Sequence, residues 1–94
     1  MNVVFAPEAE EDFRALIDYL YERNPTAAAA LSDRIFAIVA QLAEGAFDGP
    51  EQRLTTGESV RSWAIPPVRL YYQRAHDALW VLRIYHQARS PIAR

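Results

Sequence analysis

The residues best suited to chemistry lie in the last third of the chain, where arginine and tyrosine alternate with aliphatic side chains. Arg69 and Tyr71 stand two apart, and Arg83 and Tyr85 repeat the pattern fourteen positions later. In an extended strand, residues two apart share a face. Guanidinium groups beside phenol rings can hold phosphates and stack bases. The same groups grip acidic or amphipathic peptides, because Tyr and Arg are favoured at protein interfaces. A solvated sheet face with ordinary cross-strand Tyr–Arg pairs has the same composition.

His86 is the histidine nearest this region, and an imidazole near Arg69 and Arg89 could act as acid or base. Strict alternation, however, puts His86 on the face of Leu82 and Ile84, which suits a partly buried structural histidine. His76 falls at a loop tip. Ser62 and Ser90 lack a His–Asp arrangement, so a hydrolase triad is not indicated. Two distant His and no Cys do not make a zinc site, and no Gly-rich phosphate loop is present. No metal or cofactor is expected.

All ten basic residues are arginine; the chain contains no lysine. Arginine clamps anions but keeps its proton, so it cannot serve as a base near neutral pH. The net charge of −2 conceals a polarity. Glu8, Glu10, Glu11 and Asp12 crowd the start, whereas Arg53, Arg61, Arg69, Arg74, Arg83, Arg89 and Arg94 face only Glu58 and Asp77 from position 53 onward. A basic half can meet nucleic acid or an acidic protein.

The elements that position these groups follow from periodicity. Val60–Ile65, Val68–Gln73 and Leu79–His86 read as three strands. Pro66-Pro67 breaks the first pair, and Arg74–Ala78 is short enough for a hairpin loop. The face with Leu70, Leu82 and Ile84 is expected to meet the helices, and the face with Arg69, Tyr71, Arg83 and Tyr85 to look away. Before them, Asn2–Phe5 is a short strand. Ala9, Phe13, Leu16, Ile17 and Leu20 form one stripe of a first helix. Asn24-Pro25 ends it and starts a second, Asn24 as N-cap and Pro25 at the first helical position. The second helix runs from about Thr26 to Glu44 with its stripe on Leu31, Ile35, Ile38, Val39 and Leu42, and Gly45 stops it. The short joint makes an antiparallel helix hairpin. Ala46–Ser59 reads as loop, with Arg53-Leu54 as a short extended piece.

Ninety-four residues, 51% apolar, make one domain over residues 1–94. The expected fold class is α+β: an N-terminal strand and an antiparallel helix hairpin packed on an antiparallel sheet. The absence of cysteine suits the cytoplasm. No apolar run approaches the ~20 residues of a membrane span, and no signal peptide opens the chain.

The order of elements, the opening FAPEAEEDFRALIDYL, the R-L-Y-Y of Arg69–Tyr72 and the L-R-I-Y-H-x-A-R of Leu82–Arg89 together resemble the RelE/ParE superfamily of type II toxins. The resemblance covers nearly the whole chain. RelE-like members are ribosome-dependent ribonucleases; ParE-like members share the fold, lack that catalytic set and poison DNA gyrase. Both are silenced by an antitoxin that lays a helix and an extended segment over the toxin. Arg69 matches the arginine of the RelE-type sheet and Arg89 a second arginine position. The catalytic lysines have no counterpart, and no Tyr follows Arg89. His86 aligns with the H of the H-G-x-R-D-like segment of ParE-type members, here with Gln87 for Gly and Ser90 for Asp.

The resemblance therefore implies a ParE-like toxin that inhibits DNA gyrase by binding, causes growth arrest, serves plasmid stabilisation and forms a hetero-oligomer with a ParD-like antitoxin. Its expected binding residues are Arg61, Arg69, Tyr71, Arg83, Tyr85 and Arg89, with no catalytic residue. The other reading is a ribosome-dependent messenger RNA endoribonuclease using Arg69, His86 and Arg89, with Glu58.

Overall fold

A computed structural model describes residues 1–87. The order is β1 (Asn2–Phe5), α1 (Pro7–Arg23), α2 (Pro25–Glu44), β2 (Glu51–Arg53), β3 (Ser59–Ile65), β4 (Val68–Ala75) and β5 (Ala78–His86). The two helices form the expected hairpin against one face of a five-stranded sheet of order β1-β5-β4-β3-β2. The sheet is mixed: β2 through β5 are antiparallel neighbours, but β1 runs parallel to β5, pairing Asn2 with Ala78 and Phe5 with Val81. An all-antiparallel sheet fails here because the helix hairpin returns the chain across the sheet before the strands begin.

The helix boundaries follow local chemistry. Pro7 opens α1, where its missing N–H costs nothing. The Asn24 side chain accepts a hydrogen bond from the Ala27 N–H at 3.0 Å and so caps α2, with Pro25 first in the helix. Gly45 closes α2 at φ 78°, a left-handed conformation that glycine adopts without steric cost. The β4–β5 turn narrows to His76 and Asp77, at φ 53° and 58°. Two positive φ values in a two-residue loop match the right-handed twist of the strands it joins. Strand β2 is Glu51–Arg53, beginning two residues and ending one residue before the expected Arg53-Leu54 piece; Leu54 instead donates its N–H to the Glu58 carbonyl at 2.8 Å.

The main core lies between helices and sheet. Leu31, Ile35, Val39 and Leu42 of α2 are buried on Leu70, Tyr72, Leu79, Val81 and Ile84, and Ala28 of the same helix is also buried. Among the described residues, α2 is the one helix of span-like length and apolarity, 20 residues at a mean hydropathy of 1.3. In this fold its stripe is core rather than lipid-facing surface. Helix α1 differs: only Ala9 is fully buried, while Phe13, Leu16 and Leu20 are half-covered.

Leu82 departs from the expected alternation. Tyr71 pairs with Arg83, yet the next residue, Tyr72, pairs with Val81, so Leu82 is an extra residue in β5. This bulge reverses the phase of the strand. Leu79, Val81 and Ile84 face the helices, and Leu82 faces outward beside Tyr71 and Tyr85.

Candidate interaction surfaces

The outer sheet face is a second small core rather than an open platform. Leu54, Val60, Tyr71, Leu82 and Tyr85 pack together there, with Trp80 at the side. Tyr71 and Tyr85 meet edge to face at 5.7 Å and are only 6% and 8% exposed. The phenols expected to grip a partner are thus largely spent on packing, because the Leu54–Glu58 turn brings Leu54 over them.

The arginines on this face have separate duties. Arg83 lies over the Tyr85 ring at 4.6 Å and donates two hydrogen bonds to the Asp12 carboxylate of α1, at 2.8 and 3.0 Å. That bonding raises its already high pKa. Arg69, opposite Tyr85 in the register, donates to the Ser62 hydroxyl at 2.9 Å. Among the described residues no carboxylate pairs with it. Arg61 sits on the other face: it pairs with Tyr72 across the sheet, donates to the Gly49 carbonyl at 2.8 Å and lies 3.7 Å from Asp48 and 3.6 Å from Glu51.

Of the residues of the nucleolytic reading, Arg69 and His86 are not brought together on one face. Val68 pairs with His86 and Arg69 with Tyr85, so alternation puts Arg69 and His86 on opposite faces. His86 is exposed at the end of β5, not partly buried as alternation suggested. The strand ends there. Glu58 accepts a hydrogen bond from Gln73 at 3.1 Å. Arg89 lies outside the described residues. No three His, Cys, Asp or Glu side chains gather to hold a metal among the described residues.

Two features go beyond the sequence reading, the second of them giving shape to an apolar edge expected on the helix hairpin. The first is a polar knot under the Gly45–Pro50 loop. Tyr72 donates to Asp48 at 2.5 Å and accepts from the Gly49 N–H at 2.8 Å. Arg74 donates twice to Asp48, at 2.9 Å each, and once to the Leu42 carbonyl at 2.7 Å. Burial pushes the Asp48 carboxyl up, but the Tyr72 and Arg74 hydrogen bonds and the Arg74 and Arg61 charges outweigh it and hold the pKa below its ordinary value. Burial and then Asp48 push the Tyr72 phenol up. The knot ties α2, the loop, β3 and β4 together. An Asp-Gly-Pro turn was visible in the sequence; its buried partners were not.

The second is an apolar groove of about 680 Å³ between β1 and the helix hairpin. Phe5, Phe13, Ile17 and Phe36 line it. The three phenylalanines form one cluster with ring centroids 5.4 to 6.4 Å apart. Phe36 is 52% exposed and Val3 39%. A groove of this size, open and aromatic, matches the surfaces that take an apolar partner segment. The half-covered stripe of α1 was the available signal, since a helix with one fully buried residue has apolar surface left over.

The fold is thus a helix hairpin on one face of a small mixed sheet, with a polar knot under the Gly45–Pro50 loop and an aromatic groove beside β1. The chain belongs to the family of ParE toxins of type II toxin–antitoxin systems, parDE, whose sequence profile matches residues 3–91. Its fold is similar to a solved structure described as the chromosomal ParDE TA system from P. aeruginosa, with a TM-score of 0.75 and 20% sequence identity over 92% of this chain and 95% of that one. At that identity the likeness speaks for the fold. No curated protein matches the chain.

Proposed function

We propose that this toxin acts by binding, that DNA gyrase in the cytoplasm is its target, and that a ParD-like antitoxin neutralises it by filling the groove beside β1. The observation that carries the binding reading is the state of the polar groups on the sheet. The carboxylates of Asp12 and Asp48 are each held by arginine, and Glu58 accepts a hydrogen bond from Gln73. A cutter of RNA needs a free acid and base aligned on one face. Here Arg69 and His86 diverge, and the outer tyrosines are packed away.

The groove supports the antitoxin reading because it exposes the apolar surface that a soluble protein normally covers. An amphipathic helix or extended segment with apolar anchors fits such a surface. On the outer sheet face, Arg69 has no carboxylate partner among the described residues and is available to meet an anionic group on target or antitoxin.

Two assays separate this reading from ribosome-dependent cleavage. Purified toxin is expected to inhibit gyrase supercoiling and to leave messenger RNA intact on translating ribosomes. Ribosome-dependent cleavage that disappears in His86→Ala, with supercoiling untouched, would establish the nuclease instead.

A further inference from the structure

Arg69 is a half-buried cation on the outer sheet face. It stands on β4 between Ala64 of β3 and Tyr85 of β5. Its guanidinium reaches diagonally across to β3 and donates from Nη1 to the Ser62 hydroxyl at 2.9 Å. Ser62 is itself fixed. It is 7% exposed, and its N–H donates to the Pro50 carbonyl at 3.2 Å. A guanidinium carries several N–H donors in a rigid fork, so one such bond leaves a paired edge of the fork unused.

The surroundings select the anion. A nucleic acid strand is held by several cations in a row, with bases stacked on exposed rings. Neither is offered here among the described residues. Arg61, Arg74 and Arg83 are ion-paired to carboxylates. Arg53 alternates onto the opposite face and donates to the Gly57 carbonyl. Tyr71 and Tyr85 pack edge to face and are nearly closed to solvent. What remains on this face is one oriented cation, flanked on the β3 side by the methyl group of Ala64. A single carboxylate fits it, because a carboxylate accepts two parallel N–H bonds from one guanidinium edge.

We propose that Arg69 and Ser62 form a receptor for one aspartate or glutamate side chain of a protein partner. Arg69 makes the contact, and Ser62 is the positioning residue that aims the guanidinium. The small side chain of Ala64 leaves the approach open. The inference rests on the binding function proposed for this toxin and names its contact chemistry: a protein carboxylate, not a nucleic acid phosphate.

The Nε–Hε signal of Arg69 in NMR of the full-length protein tests this without reference to the target. The probes are a polyglutamate peptide of about ten residues and a single-stranded RNA of about ten nucleotides, each to about 5 mM at about 150 mM salt. The peptide is expected to shift the signal at least twice as far as the RNA, although the two carry similar charge. Ser62→Ala is expected to make the Arg69 side chain more mobile and to weaken peptide binding roughly threefold. In gyrase inhibition Ser62→Ala is expected to lose roughly threefold with Arg69 present and nothing further in an Arg69→Ala protein, a coupling that a purely structural role would not produce. Arg69→Lys keeps the charge but loses the fork. It is expected to weaken peptide binding roughly fivefold by backbone amide shifts, and it carries the test if Ser62→Ala does not fold.

An RNA shift equal to the peptide's or larger, no shift with the peptide, or an Arg69 side chain equally ordered in Ser62→Ala overturns the proposal. If the peptide shifts Arg69 and gyrase supercoiling is untouched, the receptor stands and the gyrase target falls. If gyrase is inhibited as fully by Ser62→Ala and Arg69→Lys as by the native protein, the receptor is wrong and the gyrase reading stands.

Discussion

Asp12 and Arg83, 71 positions apart in the chain, form a two-bond ion pair that fastens α1 to β5. The same carboxylate also accepts the Ile84 N–H at 3.0 Å, at a point beyond the reach of β1. A helix side chain thus satisfies a strand edge that has run out of strand partners. Four acids in the first turns of a helix read naturally as complements of its dipole. For Asp12 the tertiary partner matters more.

Asp12→Ala leaves a half-buried guanidinium and a strand N–H without their acceptor. The expected loss is about 2–3 kcal/mol in urea-induced unfolding. Replacing both residues, Asp12→Leu with Arg83→Met, is expected to cost less than Asp12→Ala alone, because no charge is stranded. Equal or greater loss in the double variant would show that the pair itself, not the stranded charge, supplies the stability.

The Asp48 knot predicts an acid limb in stability. Its folded pKa lies below the ordinary 3.8, so the unfolded chain binds the proton more readily. The contribution is present above about pH 4 and is lost as pH falls through the folded pKa. Tyr72 acts at the other end: its folded pKa lies above 10.0, so its contribution holds below that value and fades as pH rises through the folded pKa. Asp48→Asn is expected to flatten the acid limb in thermal melts between pH 2.5 and 5, by roughly 1 kcal/mol at most given the half-exposed carboxylate. An unchanged acid slope would assign it to other carboxylates.

Gly49 lies against β3. A Cβ there would stand 1.7 Å from the Ser62 carbonyl oxygen. Gly49→Ala must therefore push the loop off the strand and strain the Tyr72 and Arg61 hydrogen bonds to Gly49. The expected cost is about 3 kcal/mol or more, read as a lower melting temperature. Gly57, with nothing within 4 Å but φ 88°, is the control: its alanine variant costs strain alone, about 1 kcal/mol.

Arg69 is expected to separate function from stability. Its one hydrogen bond, to Ser62, predicts a loss below about 1 kcal/mol for Arg69→Ala. On the proposed gyrase reading, inhibition is expected to fall at least tenfold, by roughly the 1.4 kcal/mol or more of an anionic contact. Full inhibition by a folded Arg69→Ala protein would remove the sheet face from the contact surface.

The helices, their caps and the three long strands were legible in the sequence because each is written in local period and turn chemistry. Asn24-Pro25, Gly45 and the α2 stripe act within a few residues of themselves. The faces of β5 were only half legible. One extra residue at Leu82 reversed the phase of that strand, and nothing within Leu79–His86 marks where a bulge must fall, since it depends on how β4 pairs across it. Tyr71 and Tyr85 alternate correctly, yet a turn from elsewhere in the chain buries them.

The sequence alone determined the α+β class, the helix hairpin, the strand order along the chain and the all-arginine set of cations. The tertiary structure decided which of those cations remain unpaired, that β1 joins the sheet in parallel and leaves an edge open, and that an aromatic groove forms beside it. The physical reason is distance. Local propensities act over a helical turn or a hairpin, whereas Asp12–Arg83, Asp48–Tyr72 and the Phe5–Phe13–Phe36 cluster exist only once packing brings remote segments within hydrogen-bond or van der Waals reach.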